Sequence, residues 1–196
     1  GLPFIFATVY LPPDGIGMVW AARIIHGKRF SRVPGSEFIF DICKLAAQEG
    51  QGIFLYGAGE DVNEGAARIL AERYPGLQIA GRANGYIKDD EMDDLVRRIN
   101  QSGASVLSIA LGSPKQEKWV ASYKDSLTHV RVCQCVGGTL DTITGKVKRA
   151  PEIWCRYNVE WLYRLLSEPK RIKRQKYLPL FLILVLRQKI INYFNQ

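Results

Sequence analysis

The sequence predicts an α/β fold built on a mainly parallel sheet with helices on both faces. Two observations carry this: short β-rich runs alternate with helical runs, and most junctions are marked by glycine or proline. A third observation adds a separate C-terminal helical appendage. The run KRIKRQK, from Lys170 to Lys176, is followed at once by apolar residues from Leu178 to Leu186.

The elements follow in order. FIFATVYL is β-rich and stops at PPDG; IGMVWAARIIHG is helical and ends in Gly27. In GSEFIFDICKLAAQEG, Ser36 is the expected N-cap and Gly50 the C-cap. GIFLYG is a short buried strand, EDVNEGAARILAERYPG a helix with acids in its first turn, and LQIAG a strand. KDDEMDDLVRRINQSG reads as a helix, ASVLSIALG as a strand, PKQEKWVASYK as a helix and VRVCQCVGG as a strand. APEIWCRYNVEWLYRLLSEP follows as a long helix with Pro151 at its first turn. The arrangement is Rossmann-like, and ligands in it sit beyond the carboxyl ends of the strands. A boundary after Pro169 gives a domain over 1–169 and an appendage over 170–196.

Composition narrows the classes. Hydrophobic content of 47% and charged content of 23% are ordinary for a globular protein. The net charge is +8, and the segment from Arg164 to Lys176 holds six bases against one acid, so the rest is close to neutral. The apolar tail run is about half the roughly 20 residues needed to span a bilayer. The start of the chain lacks the basic region and cleavage site of a secretory signal. The cysteines (Cys43, Cys133, Cys135, Cys155) show no metal-like spacing and read as buried free thiols in a reducing cytoplasm.

Three strand-end loops are candidates for chemistry. In LGSPKQEKW, Gly112 ends a strand and Pro114 starts a helix. Lys115 and Gln116 then project from the first turn beside free amides that suit an anion or a sugar hydroxyl, with Glu117 next to them. In VGGTLDTITG, Gly137 and Gly138 allow close backbone approach, and Asp141 can accept from a ribose or a base. Together these two loops suggest a nucleoside diphosphate. In LPPDGIG, Asp14 is either an N-cap or a general base. No serine, cysteine or histidine arrangement competes with it as proton acceptor. FLYGAGED lacks the third glycine of a dinucleotide loop, and Glu60 and Asp61 oppose a phosphate, so Gly57 and Gly59 read as turn glycines. In KDDEMDD, Asp89 and Asp90 read as helix caps rather than metal ligands.

PPDGIGMVWAARI, RVPGSEF, LGSPKQEKW, VGGTLDTITGKVKRAP and EWLYRLLSEPKRIKR together resemble the WecG/TagA/CpsF glycosyltransferases, family 26. The resemblance runs from about Leu11 to about Arg174. It implies an inverting transferase that moves a sugar, of the N-acetylmannosamine type, from a UDP-sugar to a polyprenyl-diphosphate-linked sugar acceptor. The setting it implies is cell-wall or surface polysaccharide synthesis of the teichoic acid type, at the cytoplasmic face of the membrane. It places the catalytic base on Asp14, with Arg32 and Gln116 as further catalytic residues. Arg164, Arg171 and Arg174 of the tail would meet the diphosphate. Family members carry more elements before the Asp-Gly motif, including a Thr-x-Asn loop; only thirteen residues precede Asp14, so the N-terminal part reads as missing. With no convincing Asp-x-Asp, arginines replace a metal against the departing UDP, and no cofactor is expected. An anionic membrane surface is the expected partner of the tail, and a homo-oligomer is left open. The competing classes are a nucleic-acid-binding protein using the basic tail and a non-catalytic membrane-bound scaffold. The apolar run argues against nucleic acid, since phosphate contacts need charge alone.

Overall fold

The computed structural model describes residues 16–27, 35–147, 151, 154, 162–163 and 177–194. These fall into two compact units, one of residues 35–147 and one that includes 16–27 and 177–194. The strand expected at FIFATVYL, most of the helix expected after Pro151 and the boundary after Pro169 lie outside the described residues.

The larger unit is a four-stranded, all-parallel sheet. Its strands are β1 (Gly52–Gly57), β2 (Gln78–Ala83), β3 (Val106–Ala110) and β4 (Val132–Cys135), in the order β2-β1-β3-β4. The chain runs outward from β1 to β2, then crosses back to β3 on the other side. The loops after β1 and β3 therefore diverge at the centre of the carboxyl edge, where such sheets bind ligands.

Side-chain alternation divides the core between two faces. Ile53 and Leu55 of β1 and Val106 and Ala110 of β3 point to one layer. There they meet Ile39, Cys43 and Ala46 of α2 (Gly35–Gln48) and Val62, Ala66 and Leu70 of α3 (Glu60–Arg73). Phe54, Tyr56, Leu107 and Ile109 point the other way, onto Met92, Leu95 and Ile99 of α4 (Met92–Gln101) and Trp119 of α5 (Lys115–Tyr123). The Tyr56 and Trp119 rings meet at 5.1 Å, tilted by 55°. Burial, helped by Tyr123 and Asp89, pushes the Tyr56 hydroxyl up to about 12. A fully alternating strand pair with helices on both sides confirms the expected fold class.

The caps are partly as expected. Gly50 has φ +62°, and the Gln51 N–H reaches back to the Ala46 carbonyl at 2.8 Å, closing α2 in the Schellman manner. Ser36 is not the N-cap, because the helix already includes Gly35. Asp89 and Asp90 do not cap α4 either. They sit in a separate 3₁₀ turn, Asp89–Glu91, which the Glu91 carboxylate closes by accepting the Lys88 N–H at 3.1 Å; Glu91, at the N-cap position of α4, makes no side-chain cap bond to that helix. Cys43 is buried and its thiol is pushed up to about 11 by desolvation, but Cys135 is exposed because β4 borders the sheet. Cys155 lies outside the described residues.

The smaller unit contains α1 (Ile16–His26) and α7 (Tyr177–Phe194). Gly27, at φ +68°, ends α1 as expected, its N–H bonded to the Arg23 carbonyl at 3.0 Å. The two helices approach closely at Gly17, where a Cβ would stand 3.7 Å from Phe181.

One polar side chain holds the sheet edge of the larger unit. Asn63, fully buried in α3, donates from Nδ2 to the carbonyls of Gly57 at 2.9 Å, Ala83 at 3.0 Å and Leu55 at 3.3 Å. Asn63→Leu should therefore strand buried carbonyls on two strands, and lower unfolding stability by about 2–4 kcal/mol. Gly57→Ala should cost at least about 3 kcal/mol, since φ is +115° and the new Cβ would sit 2.5 Å from the Ala110 carbonyl. Urea denaturation midpoints test both, and parental midpoints for either would refute this account of the edge.

Candidate active site

Three loops converge on the carboxyl edge. The loop after β1 has Ala58 at φ +58°, a conformation that residues other than glycine rarely adopt. Its N–H donates to the Ala110 carbonyl at 2.9 Å, and its own carbonyl accepts the Gly85 N–H at 2.8 Å. The ends of β1, β2 and β3 are thus tied together through one alanine. Strain held at a strand end by its surroundings is a common mark of a functional loop.

Charge is arranged around the start of α3. Glu60 forms an ion pair with Arg82 and accepts from Asn84 at 2.9 Å, while Asp61 accepts from Lys146 Nζ at 2.9 Å. The Arg82 and Asn84 hydrogen bonds hold the Glu60 carboxyl below its usual range. The Lys146 hydrogen bond, then the Val62 N–H, lower that of Asp61. The two acids that the sequence set against a phosphate are therefore each matched by a cation. An open cleft of about 290 Å³ lies beside this pair, lined by Glu60, Arg82, Asn84, Ile87 and Arg98.

The loop after β3 carries Gly112 at φ +76° and leads through Pro114, the N-cap position, into α5. Lys115 and Glu117 are exposed, as projecting groups should be. Gln116 behaves otherwise. It is 6% exposed, accepts the Gly137 N–H on Oε1 at 3.1 Å and donates from Nε2 to Glu117 at 3.1 Å. It therefore joins the loop after β3 to the loop after β4, in addition to standing at the edge. Its own N–H is taken by the Gly112 carbonyl at 3.1 Å, which removes one of the amides expected to be free.

Beyond β4, Gly137 adopts φ +54° and Gly138 precedes a short helix, α6 (Thr139–Ile143), that the sequence reading left as loop. Asp141 lies in α6, half-buried, and among the described residues its carboxylate makes no side-chain hydrogen bond. The Lys146 ammonium feels both Asp141 and Tyr86, and its pKa is raised first by its bond to Asp61. The structure thus brings Gly112, Lys115, Gln116, Glu117, Gly137, Gly138 and Asp141 onto one sheet edge. Asp14, Arg32, Arg164, Arg171 and Arg174 lie outside the described residues.

Sequence reading missed three groups at this edge: Asn63, Lys146 and Tyr86. Tyr86 is 80% exposed, in a turn where its N–H donates to Asn84 Oδ1 at 2.9 Å, and its ring offers a stacking surface. The Asn-Gly pair directly before it was the available signal. Asn63 was legible as the one polar residue on the stripe it shares with Ala66, Ala67 and Leu70.

A parallel sheet whose strand-end loops converge in this way defines a Rossmann-like α/β domain with its ligand edge at the strand carboxyl ends. The chain belongs to the glycosyl transferase WecG/TagA/CpsF family, whose pattern matches residues 5–195, and is therefore a glycosyltransferase. It is similar to the N-acetylglucosaminyldiphosphoundecaprenol N-acetyl-beta-D-mannosaminyltransferase of Bacillus subtilis (strain 168), at 34% identity over 92% of this chain and 69% of that protein. It is also similar to the enzyme of the same description from Staphylococcus aureus (strain MRSA252), at 35% identity over 96% of this chain and 73% of that protein.

Because Gln116 is the only side chain holding the Gly137 N–H among the described residues, Gln116→Ala should have a local signature. Stability should fall by about 1–2 kcal/mol, and amide exchange at Gly137 should accelerate while that of β1 is unchanged. Unaltered protection at Gly137 would remove the bridging role.

Proposed function

We propose that this glycosyltransferase moves a sugar of the N-acetylmannosamine type from a UDP-sugar to a polyprenyl-diphosphate-linked N-acetylglucosamine, with inversion, in teichoic acid-type cell-wall synthesis. The supporting observation is the convergence of the three strand-end loops on one edge, where Asp141 is free to accept hydrogen bonds and Lys115 is exposed. The relatives' described acceptor, a sugar diphosphate on undecaprenol, supplies the acceptor class.

In this reading Asp14 takes the proton of the acceptor hydroxyl as its oxygen attacks the anomeric carbon. The bond to the β-phosphate oxygen breaks on the opposite face, which inverts the centre and releases UDP. Arg32, Arg164, Arg171 and Arg174 offer guanidinium groups suited to diphosphate oxygens, so charge building on UDP is met without a metal. Among the described residues no cluster of three histidines, cysteines or acids is arranged to hold a metal ion. Catalysis takes place at the cytoplasmic membrane face, with the enzyme bound peripherally through its basic and apolar tail. No helix among the described residues is long and apolar enough to cross a membrane.

Mass spectrometry of products from a panel of UDP-sugars with a short-chain lipid acceptor tests the reaction; no product with UDP-N-acetylmannosamine would overturn it. Asp14→Asn keeps the shape but removes the proton acceptor. It should bind UDP as the parent does while turnover drops by about 10²–10⁴-fold. Equal turnover would take Asp14 out of the mechanism. Activity should survive excess EDTA, and loss that magnesium or manganese restores would show that a metal does the work assigned to arginine.

A further inference from the structure

We propose that α1, and not the tail alone, enters the membrane: Trp20, about one turn from the Gly17 contact, forms a lipid-facing surface with the apolar side chains of α7. This rests on the reading above, in which the acceptor is carried on a lipid.

The two helices belong to the same unit and touch through a narrow seam. Phe181 lies against Gly17, and on α7 only Val185 is buried among the residues whose burial is described. What that seam leaves outside is apolar on both helices. Leu182, Ile183, Leu184, Leu186 and Ile190 of α7 are between 48% and 60% exposed. On α1, Trp20, three positions on from Gly17 and so on the same side of the helix, is 61% exposed. An exposed apolar surface shared by two helices marks an interaction site.

Charge chooses its occupant. Neither helix contains a single acidic residue, while Arg23 ends α1 and Arg187 and Lys189 follow the apolar run of α7. All three are exposed. An apolar face whose only fixed charges are positive and which includes a tryptophan has the pattern of a bilayer interface with anionic headgroups. A second copy would meet its own positive charges across a symmetric contact. The placement also has a consequence for chemistry. α1 begins at Ile16, two positions after Asp14, so chain continuity holds the proposed base next to the helix that enters the lipid.

The test uses the full chain and vesicles of phosphatidylglycerol and phosphatidylcholine, with acyl chains brominated near the headgroup. Trp20→Phe should sediment with vesicles as the parent does but lose most of the bromine quenching of tryptophan fluorescence. Parent and variant are compared in a Trp154→Phe, Trp161→Phe background, since the chain has four tryptophans; the remaining one, Trp119, is buried in the larger unit and contributes little to that quenching. Trp20→Glu should weaken partition into anionic vesicles at least tenfold with an unchanged far-ultraviolet spectrum. Parental partition of Trp20→Glu, together with weakened partition of Leu184→Glu, would overturn the proposal and leave docking to the tail alone. Absence of vesicle binding by the parent would instead overturn the membrane reading itself. A change in sedimenting mass of Trp20→Glu without a change in partition would assign the face to contact between copies, and the proposal would fail.

Discussion

The carboxyl edge of the sheet depends on one amide. Asn63 Nδ2 lies within hydrogen-bonding distance of three carbonyls, those of Leu55 and Gly57 in β1 and of Ala83 at the end of β2. Any apolar residue in its place would leave those groups buried and unsatisfied, at a cost of about 1–3 kcal/mol each. The bond also fixes where α3 begins relative to the sheet. That position dictates the turn through Gly57, Ala58 and Gly59, and the turn in turn reaches β3 through Ala110 and the loop after β2 through Gly85. Gln116 continues the chain of ties from β3 to the loop after β4. Four loops are therefore positioned by two side-chain amides and a few backbone bonds, which is how a site on loops acquires rigidity.

Electrostatics at this edge are balanced rather than one-signed. The N-terminus of α3 carries two acids, which suit its dipole, and each has recruited a base from another segment: Arg82 from β2 and Lys146 from beyond α6. These pairs are exposed and add little stability. Their larger effect is on charge placement, because they leave the start of α3 near neutral and keep Lys146 beside Asp141. The excess charge of the chain lies elsewhere, in the run from Arg164 to Lys176.

The alternation of strands and helices was legible because each buried strand is short, apolar and bounded by glycine, and because α2 ends in a glycine that its left-handed conformation demands. Gln116 and Asp141 were legible as residues of loops at strand ends, and both stand at the carboxyl edge of the sheet. The bridging by Gln116 was not, because a hydrogen bond to a residue 21 positions away depends on where two loops meet. Local pattern failed in the same way at Ser36, where helix geometry begins one residue earlier, and at Asp89 and Asp90. There a 3₁₀ turn intervenes before α4, and the Glu91 carboxylate closes that turn rather than capping α4. α6 was missed because its five residues are too few to show a period.

The tail helix is apolar nearly all round, and such a helix belongs either inside a core or in lipid. Its dimensions decide how it sits in lipid. The nine residues from Leu178 to Leu186 rise about 14 Å, less than half the roughly 30 Å hydrocarbon core. Pro179 falls in the first turn, where a missing N–H costs nothing, so the helix starts cleanly after the basic run. Arg187 and Lys189 interrupt the apolar stretch ahead of Ile190, and in the proposed membrane reading their charges would stay in the headgroup region. In that reading, bases on both sides of a short apolar segment would hold it parallel to the surface, since tilting it inward would carry one set of charges into hydrocarbon. In the proposed membrane reading, a helix held at that level would place its unit where a lipid-linked diphosphate is presented, and α1, which touches it at Gly17, would share the same depth.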